Sequence, residues 1–464
     1  MVEIRKAIIV AGGPGSRMNC FDTHKATLPV GGRPNIVWLV EALQKAKVKE
    51  VFIKAQHRNY DLIRVLGDGS KFGSGFKIHH EYIKDMDTAS GVYNIVCERY
   101  KKVFEKEYFW VLSGDIGFPA LKLDDYKTQF FDTMRFGQAK NIYKKRILGS
   151  VGFVIRPFND IINKFPTAAI DNKRLITKVF DKPPANDEAA KLIRAEISNE
   201  HVNRHEKETG EDGIGEKALP MPTFFYILSA DALNVMSKVT SRFRIKKKDV
   251  DFYRHMFHLL PNQLLALFLK EDIINGKLIR GYYDLNWPDI FYRAQWQFIR
   301  TAYDKLLSSN YEFVDIYNSF VGPNVDFSHA GDNPVINASV FHPETAIMEN
   351  CSIENSDIGS GSIIRNVSIK RSIILPNTCI NYAYSDNPAH MTIEDSIVGS
   401  GSQITTYVDK HHNQGQTINK IEKKIIGPNA HGDLSYHNLF IGPKDEEICK
   451  EAFKYAVEDV RKRD

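Results

Sequence analysis

The sequence predicts an α/β domain with a mostly parallel sheet, followed by a parallel β-helix. Two patterns carry this prediction. Up to about residue 305, short apolar runs alternate with helical stretches, which is typical of parallel strands joined by helices. Beyond about residue 315, aliphatic residues recur at six-residue spacing between small and polar residues, as they do in β-helices. An irregular β-sandwich is the alternative for this second region.

The first domain begins with a buried strand, Ile4 to Ala11, that ends in a glycine-rich turn. Pro34 is expected to open a helix whose apolar residues share one face. Val51–Ala55 and Tyr108–Leu112 are the next strands, and the second of them ends on Ser113-Gly114-Asp115. Ligands of parallel sheets bind at the carboxyl ends of the strands, so the glycine turn and Asp115 are expected at a ligand site.

The second region repeats one short motif. Ile358-Gly359-Ser360-Gly361-Ser362 returns as Val398-Gly399-Ser400-Gly401-Ser402. In a β-helix, each face of a coil places one aliphatic side chain inward, and small residues form the corners. The aliphatic residues at six-residue spacing are Ile347 and Ile353; Ile358 and Ile364; Ile363, Ile369 and Leu375; and Ile374 and Ile380.

Four parts follow from these patterns: a first domain in residues 1–305, a linker in 306–317, the β-helix in 318–408 and a tail in 409–464. The polar segment Asn199–Lys217 is expected to form a surface loop. Tyr382–His390 is expected to be a loop between two coils. Apolar residues at helical spacing in Lys444–Arg463 predict a helix at the end of the tail.

The charge balance, the apolar stretches and the cysteines of the sequence limit which classes of protein it can belong to. The 62 Lys and Arg against 57 Asp and Glu give a net charge of +5, which does not argue for nucleic-acid binding. The longest apolar stretch, Leu264–Leu269, is too short to span a bilayer, and Met1–Lys6 is not a secretory signal. The five cysteines have no metal-binding spacing and are expected to be reduced thiols of a cytoplasmic protein.

The strongest local signal is Ala11-Gly12-Gly13-Pro14-Gly15-Ser16-Arg17, directly after the first strand. Glycines allow backbone N–H groups to approach a phosphate chain closely. The segment is not a Walker loop, and Met18 stands where a dinucleotide-binding motif has its last glycine. Arg17 and Lys25 add two positive charges near the turn, which suits a triphosphate.

Six motifs occur in the order found in the nucleoside-diphosphate-sugar pyrophosphorylases, and the chain resembles that family. They are Gly12–Arg17 with Lys25–Val30 and Gly32–Pro34, Leu66–Gly73, Thr88-Ala89, Gly114-Asp115, Asp181-Lys182-Pro183, and Gly281–Pro288. The trailing repeats are similar to the β-helix of the GDP-mannose and ADP-glucose branches. The resemblance implies a Rossmann-like nucleotidyltransferase domain with a mixed, mostly parallel sheet, followed by a left-handed β-helix.

The resemblance also implies the reaction, in which an NTP and a sugar 1-phosphate give an NDP-sugar and pyrophosphate. Asp115 and Asp284 would hold Mg²⁺, a cation that prefers carboxylate and phosphate oxygens. Arg17 and Lys25 would contact the triphosphate, and Lys182 the sugar phosphate. The residues expected to bind the nucleotide are Ala11, Gly12, Gly13, Gly15, Ser16, Thr88 and Ala89.

The sequence departs from the family pattern at four places. His24 stands for the usual Pro, Asp87 for the glycine before Thr88, Pro222-Thr223-Phe224 for an Asn-x-Gly segment, and Asn286 for a glycine.

Two alternatives therefore stay open. One is a non-catalytic homologue, resembling two subunits of the eukaryotic exchange factor for translation initiation. The other is a bifunctional enzyme whose β-helix also transfers an acyl group. Its candidate bases are His329, His342, His411 and His412. In either case a homo-oligomer formed through the β-helix is expected, because such a domain leaves backbone edges to cover.

Overall fold

The computed structural model divides the chain into two compact units, Met1–Pro14 with Ile36–Tyr282, and Gly15–Asn35 with Tyr283–Asp464. The predicted domain boundary near residue 305 stays a prediction. The residues that the structure describes are 3–13, 23–56, 59–105, 107–117, 123–157, 165–181, 218–269, 272–274, 277–279, 283–285, 290–295, 311–314, 318–330, 334–381, 390–404, 420–422 and 425–426.

The first unit contains a mixed sheet of seven strands. Its strands are β1 Lys6–Ala11, β2 Glu50–Ala55, β3 Lys77–Tyr82, β4 Tyr108–Ser113, β5 Gly149–Pro157, β6 Ala218–Ser229 and β7 Leu264–Phe268. They lie in the order β7-β5-β6-β4-β1-β2-β3. β6 runs antiparallel to both neighbours, and the other pairs are parallel. The prediction of a mixed, mostly parallel sheet is therefore confirmed, as are the three strands predicted first.

These segments form central strands because their residues are apolar on both faces. In β1, Ala7, Ile8 and Ile9 have no exposed surface, and Phe52 and Ile53 of β2 have none either. Strands covered on both sides favour continuous apolar runs over alternating ones. One charged residue, Lys54, interrupts the apolar run of β2 and is nevertheless buried.

Among the described residues, six α-helices accompany the sheet, and the first begins one residue after Pro34. They are α1 Asn35–Lys45, α2 Asn59–Leu66, α3 Thr88–Tyr93, α4 Lys101–Phe104, α5 Leu123–Ala139 and α6 Met236–Phe243. The shorter helical turns are Lys25–Thr27, Ser70–Phe72, Asn94–Arg99, Ala230–Val235, Lys247–Asp249, Phe252–Met256 and Phe257–Leu259. The remaining short strands are Pro29–Val30, Arg33–Pro34, Ile116–Gly117, Thr167–Ile170, Ile176–Phe180, Asp272–Ile274, Lys277–Ile279 and Tyr283–Asp284. Among the described residues, no helix has the length and apolar character needed to cross a bilayer.

In the described part of the second unit, the residues beyond 311 form three further sheets. The first is Glu312–Val314, Ser319–Val321, Val340–Phe341, Asp357–Ile358, Ile373–Ile374, Ile397–Val398 and Ile425–Ile426. The second is Val335–Asn337, Ser352–Glu354, Val367–Lys370, Met391–Glu394 and Lys420–Glu422. The third is Ala346–Ile347, Ile363–Ile364, Cys379–Ile380 and Gln403–Ile404. All pairs are parallel except the first of the first sheet.

The sequence spacing between paired strands changes along the second unit. Ile358 pairs with Ile374, 16 residues later, and Ile374 pairs with Val398, 24 residues later. The spacing increases across the predicted loop Tyr382–His390, of which residues 382–389 lie outside the described part, as do Asn199–Lys217 and Lys444–Arg463. Asparagine and glycine take most of the left-handed backbone positions of this region, at Asn324, Asn350, Asn355, Asn366, Asn377, Asn381, Gly361 and Gly401. Ala338, Glu344, Arg371 and Asp395 also adopt this conformation. The arrangement is compatible with the predicted β-helix.

The repeated aliphatic residues form the core of this unit. Ile347, Ile353, Ile358, Ile364, Ile369, Ile374 and Ile380 belong to one buried cluster. Two repeat residues lie outside this cluster: Ile363, whose side chain is partly exposed, and Leu375, which is buried elsewhere. Adjacent residues of a strand point to opposite faces, and here Ile364 fills the interior.

This neighbouring pair of isoleucines provides a stability test. Ile364→Ala should lower the free energy of unfolding by about 2–5 kcal/mol, because a fully buried side chain leaves a cavity. Ile363→Ala is the matched control and should cost clearly less. Urea unfolding followed by circular dichroism gives both values, and equal losses would contradict the assignment of the interior face.

Candidate functional site

The neighbouring strands β4, β1 and β2 are parallel, so their carboxyl ends lie side by side. We call this side of the sheet, where the three strands end, the edge. Val10 of β1 pairs with Ser113 of β4 and with Lys54 of β2. Beyond the strand, the backbone N–H of Gly114 donates to the carbonyl of Val10 at 2.9 Å. The turn after β1 and the Gly114-Asp115 segment after β4 are therefore neighbours, at the edge where parallel sheets bind ligands.

Asp115 is the acidic residue of this edge. Its side chain is only 3% exposed, and it accepts a hydrogen bond from the hydroxyl of Ser113. A carboxylate with little exposed surface at the end of a parallel strand is chemically suited to a hard divalent cation. Of Asp284, the structure describes only the backbone, within the strand Tyr283–Asp284 of the second unit.

Lys54 lies beside the glycine turn and is 2% exposed. Its ammonium donates a hydrogen bond to the carbonyl of Met86 at 2.6 Å. Desolvation lowers the pKa of Lys54, and the nearby carboxylate of Asp87 partly opposes this shift. The edge of the sheet thus contains a buried cation that connects the turn after β1 to the segment before α3.

Two glycines make room for the Lys54 side chain. A Cβ on Gly12 would lie 2.5 Å from the Lys54 ammonium nitrogen, and a Cβ on Gly91 would lie 2.7 Å from Cε. Neither distance is tolerated by real side chains, so the lysine occupies a slot that only glycine leaves open on both sides. The Lys54 side chain therefore packs against both Gly12 and the first turn of α3.

Gln56 makes a second connection between the same two segments. In the amide orientation that satisfies both of its polar atoms, its nitrogen donates to the carbonyl of Gly12 at 3.2 Å. Its oxygen then accepts from the backbone N–H of Asp85 at 3.1 Å. The turn after β1 and residues 85–91 therefore form one local structure.

The segment before α3 is fixed by two aspartates. Asp87 caps the helix, since its carboxylate accepts from the Thr88 backbone N–H at 2.7 Å. The Thr88 hydroxyl donates to Asp251 at 2.7 Å. Asp251 also accepts from the backbone N–H groups of Tyr253 and Arg254, at 2.8 and 3.0 Å. Desolvation and, next, the carboxylate of Asp251 raise the pKa of Asp87.

An ion pair extends this network to the Asp-Lys-Pro motif. The guanidinium of Arg254 lies 3.0 Å from the Asp181 carboxylate. Asp181 immediately precedes Lys182, which lies outside the described residues together with Gly15, Ser16 and Arg17. The first unit thus brings four of the six motifs into connected segments: the turn after β1, Thr88-Ala89, Gly114-Asp115 and Asp181.

The predicted nucleotide-binding residues differ in exposure. Gly13 is exposed, and Thr88 is half-buried. Ala11 is 2% exposed, and Ala89 is fully buried within the hydrophobic core of the first unit. Gly13 and Thr88 are accessible to a ligand, whereas Ala89 packs in the core beneath the segment.

Lys25 belongs to the second unit and begins the short turn Lys25–Thr27. His24 caps this turn, since its Nδ1 accepts from the Ala26 backbone N–H at 3.1 Å. Farther along, the amide of Gln295 accepts from the Gly31 N–H at 2.9 Å and donates to the Pro29 carbonyl at 2.6 Å. The segment that carries Lys25 is therefore attached within its own unit.

Sequence reasoning missed Lys54, Gln56, Asp251 and Arg254. For Lys54 a signal existed, because a lysine inside an apolar strand with both faces covered is unusual. For Asp251 and Arg254 none existed, since their partners Thr88 and Asp181 lie 163 and 73 residues away in the sequence.

Comparison with known proteins identifies this part of the chain. Residues 7–124 match the model of the MobA-like NTP transferase domain. The predicted relationship to the nucleotidyltransferases is thereby confirmed, and the transferase domain includes the glycine turn, Lys54, Thr88 and Asp115.

Two individual proteins are similar to the chain. The N-acetylmuramate alpha-1-phosphate uridylyltransferase of Neisseria meningitidis serogroup B (strain ATCC BAA-335 / MC58) is 30% identical over 113 residues, which are 24% of this chain. The chain spans about half of that relative, 47% of its length. A crystal structure from Bacillus anthracis, assigned as a glucose-1-phosphate thymidylyltransferase in complex with a sucrose, aligns with a TM-score of 0.43 at 17% identity. That alignment covers 62% of this chain and 93% of the other.

The hydrogen bonds of Asp251 provide a test of the network. Asp251→Ala should lower the free energy of unfolding by about 1–3 kcal/mol, because the Thr88 hydroxyl and two backbone N–H groups lose their acceptor. Asp249→Ala removes an exposed aspartate two residues earlier and should change stability by less than about 0.5 kcal/mol. Thermal unfolding of both variants measures the difference, and similar values would show that the network does not stabilise the site.

Proposed function

We propose that the chain is a sugar-1-phosphate nucleotidyltransferase, which converts an NTP and a sugar 1-phosphate into an NDP-sugar and pyrophosphate. One observation carries this proposal. In a MobA-like NTP transferase domain, a glycine turn, a buried lysine and a buried aspartate meet at the carboxyl edge of a parallel sheet. Backbone N–H groups and a cation suit a polyphosphate, and the carboxylate suits the divalent cation that accompanies it.

The chemistry needs positioning and charge neutralisation. An oxygen of the sugar phosphate forms a bond to the α-phosphorus of the NTP, and the bond to the pyrophosphate leaving group breaks. No covalent enzyme intermediate is required. Gly12, Gly13, Gly15 and Ser16 would approach the phosphates of the nucleotide through their backbone N–H groups.

Charged residues would complete the substrate sites. Arg17 and Lys25 would neutralise the triphosphate and the leaving pyrophosphate, and Lys182 would bind the sugar phosphate. Asp115 and Asp284 would hold Mg²⁺, which neutralises phosphate charge when bound. The buried carboxylate of Asp115 supports its part of this assignment.

The proposal extends to the architecture around the reaction. The first domain would be Rossmann-like, and the parallel sheets of the second unit support a left-handed β-helix. We also propose that the chain forms a homo-oligomer through that β-helix and that it is cytoplasmic.

Acyl transfer by the β-helix is disfavoured at His342. Its side chain is 2% exposed, its Nδ1 lies 2.5 Å from the Tyr311 hydroxyl, and its Nε2 lies 2.7 Å from an Asp357 oxygen. Gly32 packs on the ring, since a Cβ there would lie 2.0 Å from it. A general base needs a ring nitrogen within reach of its substrate, and both nitrogens of His342 face protein groups.

A pyrophosphate-release screen tests the reaction itself. The purified chain is incubated with each of four NTPs, a panel of sugar 1-phosphates and Mg²⁺. Release that requires both substrates supports the proposal and identifies the nucleobase and the sugar. A folded chain that binds NTP but is inactive with every pair would favour the non-catalytic homologue.

The metal assignment predicts loss of turnover. Asp115→Asn and Asp284→Asn should each remove most activity, because an amide is a poorer ligand for Mg²⁺ than a carboxylate. Asp125→Asn, which changes an exposed aspartate of α5, is the control and should retain activity. Steady-state rates at several Mg²⁺ concentrations make the comparison, and near-normal rates in both site variants would overturn the assignment.

The two lysines should affect different substrates. Lys182→Ala should raise the KM for sugar 1-phosphate about ten- to a hundredfold, the size of one charge-assisted hydrogen bond, with a smaller effect on NTP. Lys25→Ala should do the reverse or mainly lower kcat. Initial rates with each substrate varied in turn measure the effects, and equal changes for both substrates in both variants would contradict the roles.

A further inference from the structure

Lys54 is a buried cation that the hydrogen bonds of the fold do not account for. Its ammonium has three donors. Among the described residues, the Met86 carbonyl at 2.6 Å is its hydrogen-bond acceptor, and Asp87 is the carboxylate that acts on it electrostatically. Asp87 uses one carboxylate oxygen to cap α3 and keeps its side chain at the surface. The charge of Lys54 is therefore only partly compensated within this part of the chain.

A buried charge with partial compensation costs stability. Transfer of an ammonium from water into a protein is unfavourable unless it is paired and fully hydrogen-bonded. A methionine of similar length would fill the slot between Gly12 and Gly91 without that cost. Ionisable groups in such surroundings are concentrated at functional sites.

The place of the ammonium indicates the class of that ligand. The nitrogen lies 2.5 Å from the position that a Gly12 Cβ would take, next to the turn in which Gly13 is exposed. A positive charge behind a glycine turn adds to the field of the backbone N–H groups in front of it. The matching ligand is a polyanion, and a nucleoside triphosphate has that chemistry.

We propose that Lys54 is a positioning residue for the nucleotide, which joins the turn after β1 to the Met86–Gly91 segment and places a fixed positive charge behind the phosphates. The proposal rests on the proposed function, and it assigns a role to a residue outside the six motifs. Gly91 takes part because any side chain there would displace the lysine stem. Gly12 does so at the ammonium end.

The first experiment measures binding without catalysis. Isothermal titration of the full chain with NTP, without sugar phosphate, gives Kd for wild type and for Lys54→Met. We expect Kd to rise about tenfold or more in the variant, the size of one charge-assisted contact. In the assay with both substrates, the KM for sugar 1-phosphate should change less than about threefold.

Lys127→Met is the matched control. Lys127 is also buried in the first unit, at 6% exposure, where it contacts Asp124 and the Ala46 carbonyl. This variant removes a buried lysine without touching the glycine turn, so its Kd for NTP should equal that of wild type. A merely structural Lys54 would make the two variants alike.

The pH dependence of stability tests the burial of the Lys54 charge, on which the proposal depends. Burial lowers the pKa of Lys54 below 10.5, so the folded chain releases this proton before the unfolded chain does. Wild-type stability should then gain a contribution as the pH rises through the interval below 10.5, and Lys54→Met should lack it. Asp87 acts electrostatically on this lysine, Asp251 and Arg254 act on Asp87, and Glu81 is the residue paired with Lys54 on the neighbouring strand. Wild type and the variant both retain these four charged groups.

Gly91→Ala provides a second route if Lys54→Met does not fold. Its Cβ would meet Cε, Cδ and Cγ of the lysine at 2.7–3.2 Å, so it should weaken NTP binding while the charge remains. In the double variant Lys54→Met/Gly91→Ala, the two effects on Kd should not add, because both act through one side chain. Additive effects would overturn the proposal, and so would an unchanged Kd in folded Lys54→Met.

The same NTP-binding measurements distinguish a failure of the Lys54 proposal from a failure of the proposed function. A folded wild-type chain that binds no NTP would overturn the proposed function. A wild-type chain that binds NTP, together with a Lys54→Met variant that binds it equally well, would overturn only the role of Lys54.

Discussion

The ammonium of Lys54 is buried between two glycines, and the candidate site is organised around that contact. It connects the turn after β1 to the Met86 carbonyl, and Gln56 reinforces the connection through Gly12. From there, hydrogen bonds and an ion pair lead through Thr88 and Asp251 to Asp181. Segments that are far apart in the sequence thus become one surface at the carboxyl edge of the sheet. A polyanion bound at this surface would relieve the cost of the buried charge that organises it.

Two of the four departures from the family pattern have local structural roles. Asp87, in place of a glycine, caps α3 and keeps Thr88 at the start of the helix. His24, in place of a proline, caps the turn that begins with Lys25. At both positions a side-chain hydrogen bond to a backbone N–H stabilises the start of the turn or helix. These positions alone therefore do not argue against activity.

The sequence predicted what local patterns determine. Apolar runs with helical stretches between them predicted the mixed sheet, and six-residue spacing predicted which isoleucines fill the core of the second unit, apart from Ile363. Local patterns could not reveal contacts between distant residues. Lys54 and Gly91 are 37 positions apart, and nothing near Gly91 indicates that a lysine passes beside it. The metal and substrate roles of Lys182 and Asp284 rest on motif resemblance.

The proposals above require that the turn after β1 and the Met86–Gly91 segment bind one nucleotide together. Amide hydrogen exchange, measured with and without saturating NTP and Mg²⁺, tests this most directly. We expect slower exchange at Gly12 and Gly13 and, at the same NTP concentrations, in residues 86–91. Binding of NTP without protection in either segment, or with protection in only one of them, would contradict it.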